Sequence, residues 1–146
     1  MRFMMLMIPS VYQGKNGEKA GADFTPPADA VEKMMKYNEK LAKAGALISL
    51  DGLHSPATAA RVSFSGGKSS VTDGPFAESK EILGGYWIIQ AKSRQEAIQW
   101  AEEVPAADGD MIEIRQIFDL SDFPEDVQKA ADSAIVKEQV RKHKSS

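Results

Sequence analysis

At 146 residues the chain has the size of one ordinary domain, long enough to bury roughly 70% of its unfolded surface. It is 42% hydrophobic and 27% charged with a net charge of −3, so no global positive field recruits nucleic acid or anionic lipid, and neither is an expected partner. It has no cysteine, which excludes disulfides, thiolate catalysis and zinc–thiolate sites.

Residues 3–8, Phe3-Met4-Met5-Leu6-Met7-Ile8, are continuously apolar and stop at Pro9, the pattern of a strand buried on both faces. The run is far short of the ~20 residues of a membrane span. It also lacks the longer apolar core and cleavage site of a secretory signal, so a cytoplasmic location is expected. Residues 13–23, rich in Gly and charge, read as a mobile loop. Thr25-Pro26-Pro27 then opens a helix, with Thr25 placed to cap and proline suited to the first turn. Val31, Met34, Met35, Leu41 and Ala42 recur at helical spacing up to Gly45, a C-terminal stop, and Asn38 falls on that same stripe.

Residues 47–50 form the next expected strand, running into Asp51-Gly52 and His54. Residues 61–64 and 69–72 flank Ser65-Gly66-Gly67-Lys68, a hairpin signal. Thr72-Asp73-Gly74-Pro75-Phe76-Ala77-Glu78 follows, with an acid, a glycine, a proline and an aromatic in four consecutive residues. Glycine accepts positive φ and proline fixes its own φ without donating a hydrogen bond. Two such breakers beside a carboxylate and a ring describe a loop that holds side chains in place.

Residues 86–90, Tyr86-Trp87-Ile88-Ile89-Gln90, are the strongest strand in the chain. Ser93-Arg94-Gln95-Glu96 is a capping box for a helix whose apolar side is Ala97, Ile98, Trp100, Ala101 and Val104 and which ends at Pro105. Residues 111–118 form another strand, and Asp122-Phe123-Pro124-Glu125 opens a final helix running to about Arg141. The cluster Arg141-Lys142-His143-Lys144 reads as solvated cations at the negative pole of that helix.

This order specifies an α+β domain: a ferredoxin-like βαβ-β-βαβ antiparallel sheet with helices on one face, over residues 1–120. Residues 121–146 are then a C-terminal helical extension. Phe3, Met5 and Met7 oppose Met4, Leu6 and Ile8 across the first strand, and Trp87 and Ile89 oppose Tyr86 and Ile88. A sheet apolar on both faces does not leave one in water, so a two-fold homodimer with sheet against sheet is expected.

The polar chemistry is sparse. The two histidines are His54 and His143, with no His pair at helical spacing and no Asp-rich calcium loop, so no metal or cofactor is expected. Gly66-Gly67-Lys68-Ser69-Ser70 lacks the first Walker glycine and runs into a strand, while Gly84-Gly85 suits a bulge or a close backbone approach. No nucleophile elbow surrounds Ser55.

What remains is a cluster the topology can gather: His54 and Asp51, Arg61, and Asp73, Phe76, Glu78 and Lys80. Asp73 with His54 is a candidate acid–base pair, since a His and a carboxylate at a cleft rim can share a proton near neutral pH. Asp73, Phe76, Glu78, Arg61, Trp87 and Asn38 are candidate ligand-binding residues. Plainer roles stand beside these: Asp73 bonding amides of its own turn, Phe76 plugging a core, Glu78 and Lys80 solvated, His54 ending a strand. Asn38 either bonds across the dimer or lines a cavity.

Gly52-Leu53-His54, Ala60-Arg61-Val62-Ser63-Phe64, the Asp-Gly-Pro-Phe-Ala-Glu core, Gly84-Gly85-Tyr86-Trp87 and Ile112-Glu113-Ile114-Arg115 together resemble the DGPF-type branch of the YCII-related proteins, over about residues 2–120. The resemblance implies a dimeric ferredoxin-like α+β barrel with a proposed His–Asp pair in a cleft. Asp73 matches that Asp. The His expected on the first helix is absent, because that region reads Met34-Met35-Lys36-Tyr37-Asn38. DGPF-type proteins also resemble products encoded near extracytoplasmic-function sigma factors.

Three functions follow as expectations. The first is a dimeric small-molecule-binding protein with a cleft at the Asp-Gly-Pro-Phe loop. The second is a cofactor-free enzyme using Asp73 with His54. The third is a regulatory protein-interaction module that docks through its final helix.

Overall fold

A computed structural model describes residues 1–14, 20–76 and 81–145. The strands are β1 (Arg2–Ile8), β2 (Leu47–Gly52), β3 (Ala60–Ser65), β4 (Lys68–Asp73), β5 (Gly85–Gln90) and β6 (Met111–Gln116). The α-helices are α1 (Ala28–Lys43), α2 (Arg94–Glu102), α3 (Glu125–Ala130) and α4 (Ala134–Lys144). Among the described residues no helix is long and apolar enough to cross a membrane.

Four strands form an antiparallel sheet in the order β2-β5-β1-β6, an α+β architecture compatible with the ferredoxin-like fold. Phe3 and Met5 of β1 and Trp87 and Ile89 of β5 share one face, where they pack with Tyr37 and Leu41 of α1 and Ala97 of α2. Both helices therefore cover the same side. The opposite face carries Met4, Leu6 and Ile88, each half-buried, with Ile48 and Met111 more exposed at the two edges. The pairing of β2 with β5 slips by one residue between Leu47 and Ser49. That bulge turns both Leu47 and Leu50 toward the core and leaves Ile48 outside it.

The hairpin differs from a simple continuation of the sheet. β3 and β4 pair with each other in a separate two-stranded ribbon, through Gly66 and Gly67 at φ 58° and 75°, and every residue of both strands is exposed. Asp73 belongs to the end of this ribbon, opposite Ala60, and not to the loop beyond it.

Local signals explain the helix ends. α1 closes as expected, with the Gly45 N–H donating to the Ala42 carbonyl and the Ala46 N–H to the Leu41 carbonyl. Its start differs: Pro27 and not Thr25 occupies the cap position, without a side-chain capping bond. A residue before proline is driven to extended backbone, so Pro26 cannot turn helical ahead of Pro27. Ser93 caps α2 by accepting from the Glu96 N–H at 3.1 Å, while Glu96 reaches one residue further back than expected, to the Lys92 N–H. The single final helix expected to run to Arg141 is two helices. Ser133 accepts from the Val136 N–H and Asp132 pairs with Lys137, which starts a new helix at Ala134. Neither α3 nor α4 buries a residue.

Candidate functional site

A cavity of about 650 Å³ opens between the N-terminal half of α1 and the helix-covered sheet face. The apolar stripe of α1 divides in burial. Tyr37 and Leu41 are sealed in the core, whereas Val31 and Met35 are 44% and 50% exposed and line the cavity with Met34. Large apolar side chains left open in a concave site are the usual signature of a binding pocket. Met7, Leu50 and Trp87 contribute from the sheet, and the turn after β1 contributes Tyr12, which meets Phe24 edge-on at 5.7 Å.

Asn38 and Trp87 form the polar centre of this cavity. The indole Nε1–H of Trp87 donates to Asn38 Oδ1 at 2.8 Å, in a buried contact. An indole nitrogen only donates, so this bond fixes which way the Asn38 amide points. Behind them Tyr37 packs edge-on to Trp87 at 5.9 Å, and its hydroxyl donates to the Trp100 carbonyl at 2.7 Å.

Burial, and secondarily the charge of Glu103, pushes the Tyr37 phenol well above its ordinary value. A raised folded pKa means stability that is complete below the unfolded value, near 10, and is lost as pH rises through the folded one. Stability is therefore expected to fall by about 1 kcal/mol between pH 9 and 11 from this residue alone. Urea midpoints at the two pH values should fall less in Tyr37→Phe than in the wild type. Equal losses in both proteins would show that Tyr37 titrates normally.

Two further side chains hold the walls. Gln13 donates to the carbonyls of Pro9 and Ile82 and accepts from the Ile82 N–H, all within 2.9 Å. Asp110 accepts from the N–H groups of Ser10 and Ala107 at 2.7 and 2.8 Å, joining two loops at the cavity edge. Of residues 13–23, read as a mobile loop, 15–19 lie outside the described residues, while Gln13 is bonded and Ala20 is buried with its carbonyl accepting from the Ser55 hydroxyl. Gly84 permits the close approach expected of it, because a Cβ there would come within 2.6 Å of the Pro9 ring. Beside it Asp51 accepts from the Tyr86 hydroxyl at 2.9 Å; that bond first, then burial, raises the Tyr86 phenol above its usual value.

The Asp-Gly-Pro-Phe loop lies behind one wall. Phe76 packs on the cluster of Tyr12, Ala20 and Ile82, and the Arg61 guanidinium sits 3.8 Å from its ring centroid. Tyr12 in turn faces the cavity. The Gly74 N–H donates to the Ala59 carbonyl at 2.8 Å, which ties the loop to the segment after His54.

The structure thus joins the expected site residues in two pairs. Asn38 and Trp87 line the cavity; Arg61 and Phe76 stack on each other outside its lining. Asp73 and His54 are exposed and lie outside the lining as well, and among the described residues no hydrogen bond joins them. Nor does the Asp73 carboxylate bond amides of its own turn there. Glu78 and Lys80 lie outside the described residues. Among the described residues, no three His, Asp or Glu side chains gather as metal ligands would.

Tyr12, Gln13 and Asp110 carry much of the cavity's construction, and none was legible as a site residue. Each acts through packing or backbone bonds that have no sequence motif. The YCII-related domain matches residues 1–121. An uncharacterised protein of Rhizobium meliloti (strain 1021) is 38% identical over 68 residues, which is 47% of this chain. The match spans 55% of that relative's own length.

Proposed function

This chain belongs to the YCII-related family, and on that footing we propose that it is a dimeric small-molecule-binding protein. The observation that carries this reading is the cavity of about 650 Å³ with exposed Val31 and Met35 on its wall and the Asn38–Trp87 bond at its centre. Phe76, in an Asp73-Gly74-Pro75-Phe76 segment compatible with the DGPF-type branch, supports the Tyr12 wall from behind. An enzyme built on Asp73 and His54 has less support, because both groups are exposed and unjoined. The dimer closes a barrel from two sheets, covering Met4, Leu6 and Ile88 together with the exposed Ile48 and Met111.

A thermal-shift screen across small metabolites tests the binding reading. A ligand at about 100 times its Kd stabilises by about 2.7 kcal/mol, several degrees in a protein of this size. Stabilising compounds should lose their effect in Met34→Trp, which fills the cavity. A screen without hits, or hits indifferent to that substitution, would remove the reading. Sedimentation at micromolar concentration should show twice the 15.9 kDa chain mass, and a monomer would remove the dimer.

A further inference from the structure

The Asn38 amide is 6% exposed, and its Oδ1 is taken by Trp87. Its Nδ2 has no protein partner among the described residues, yet no buried side-chain nitrogen or oxygen is left unsatisfied there, so this nitrogen retains contact with open space. Since Asn38 lines the cavity, that space is the cavity. The same holds for Tyr12, 5% exposed, whose hydroxyl has no partner among the described residues. An amide that is more than nine-tenths buried, locked by an indole and offering N–H donors into an apolar pocket is an unfilled half of a hydrogen bond.

The charges around it narrow the complement. Asp51 and Asp110 are the acids of the described lining, and no Lys, Arg or His belongs to it. An anion would enter without a counter-charge and beside the Asp110 carboxylate, while the Asp51 carboxylate sits with the Tyr86 hydroxyl on the other sheet face. A cation would meet the N–H donors of Asn38, while Asp110 is already bonded to two backbone amides and Asp51 to Tyr86.

We infer that the cavity takes a neutral, mainly apolar molecule bearing a carbonyl-type oxygen, with that oxygen accepting from Asn38 Nδ2 and the apolar body lying along Met34, Met35 and Phe24. The inference rests on the cavity's being a binding site and assigns the chemistry it selects. Tyr12 is the second polar partner within the same lining.

Three probes of one shape separate the possibilities: 2-acetylnaphthalene, 2-ethylnaphthalene and 2-naphthoate, titrated by calorimetry into the full chain. One neutral hydrogen bond is expected to make the ketone bind about tenfold tighter than the hydrocarbon, with the carboxylate no tighter than the hydrocarbon. In Asn38→Leu the ketone-to-hydrocarbon ratio should fall to near one while the hydrocarbon still binds, which shows that the pocket has survived. Equal binding of ketone and hydrocarbon in the wild type, tightest binding of the naphthoate, or a ratio that persists in Asn38→Leu would each overturn the assignment and leave the cavity a binding site. Binding of none of the three overturns the assignment and the binding reading together. Where Asn38→Leu does not fold, the ranking in the wild type decides.

Discussion

Gly74→Ala is expected to lower the thermal midpoint by about 6–12 °C. A Cβ at this position would lie 1.9 Å from the Pro56 carbonyl oxygen and 3.3 Å from that of Ala59. Both are backbone atoms and cannot swing aside as a side chain would. Gly74 also donates its own N–H to Ala59, so moving the loop outward breaks the bond that fixes it. The cost belongs at the upper end of overpacking, about 3 kcal/mol, and each kcal/mol shifts the midpoint of such a domain by about 2–4 °C. Gly21→Ala is the matched control, because a Cβ there meets nothing within 4 Å. Scanning calorimetry of the two variants checks the argument; equal midpoints would mean that the loop yields without cost.

The second large effect is expected at Asn38 and Trp87, and it should be non-additive. Asn38→Leu leaves a buried indole N–H without an acceptor, a loss of about 2 kcal/mol. Trp87→Phe leaves Asn38 Oδ1 without its donor and removes part of an aromatic that is 5% exposed. The double substitution strands neither group. It should therefore cost less than the sum of the singles by about 1–2 kcal/mol, well beyond the ~0.5 kcal/mol scatter of independent sites. Urea unfolding of the four proteins measures this coupling. Additive losses would show that the 2.8 Å contact contributes nothing to stability.

Much of the fold was legible because its signals are local. The two-faced apolar pattern of residues 3–8, the paired glycines of the hairpin, Ser93 as a cap and Gly45 as a stop each act within a few residues. Thr25 misled because two consecutive prolines override a good capping residue. The final helix misled because Ser133 starts a helix as strongly as the preceding run continues one.

The site was less legible for a physical reason. A polar residue on an apolar stripe singled out Asn38, and strand alternation placed Trp87. Nothing local shows that the N-terminal half of α1 stands away from the sheet, and that separation creates the cavity. The chemically rich Asp73 belongs instead to a ribbon whose every residue is exposed.

The position of Phe76 behind the Tyr12 wall has an evolutionary corollary. Phe76 is a brace, while Val31, Met34 and Met35 on α1 line the cavity proposed to take a guest. A lineage can retain the brace unchanged and exchange the α1 side chains one methyl group at a time. Shared ancestry across such relatives is then compatible with different guests, and a guest identified for one of them transfers to another only where the α1 residues also agree.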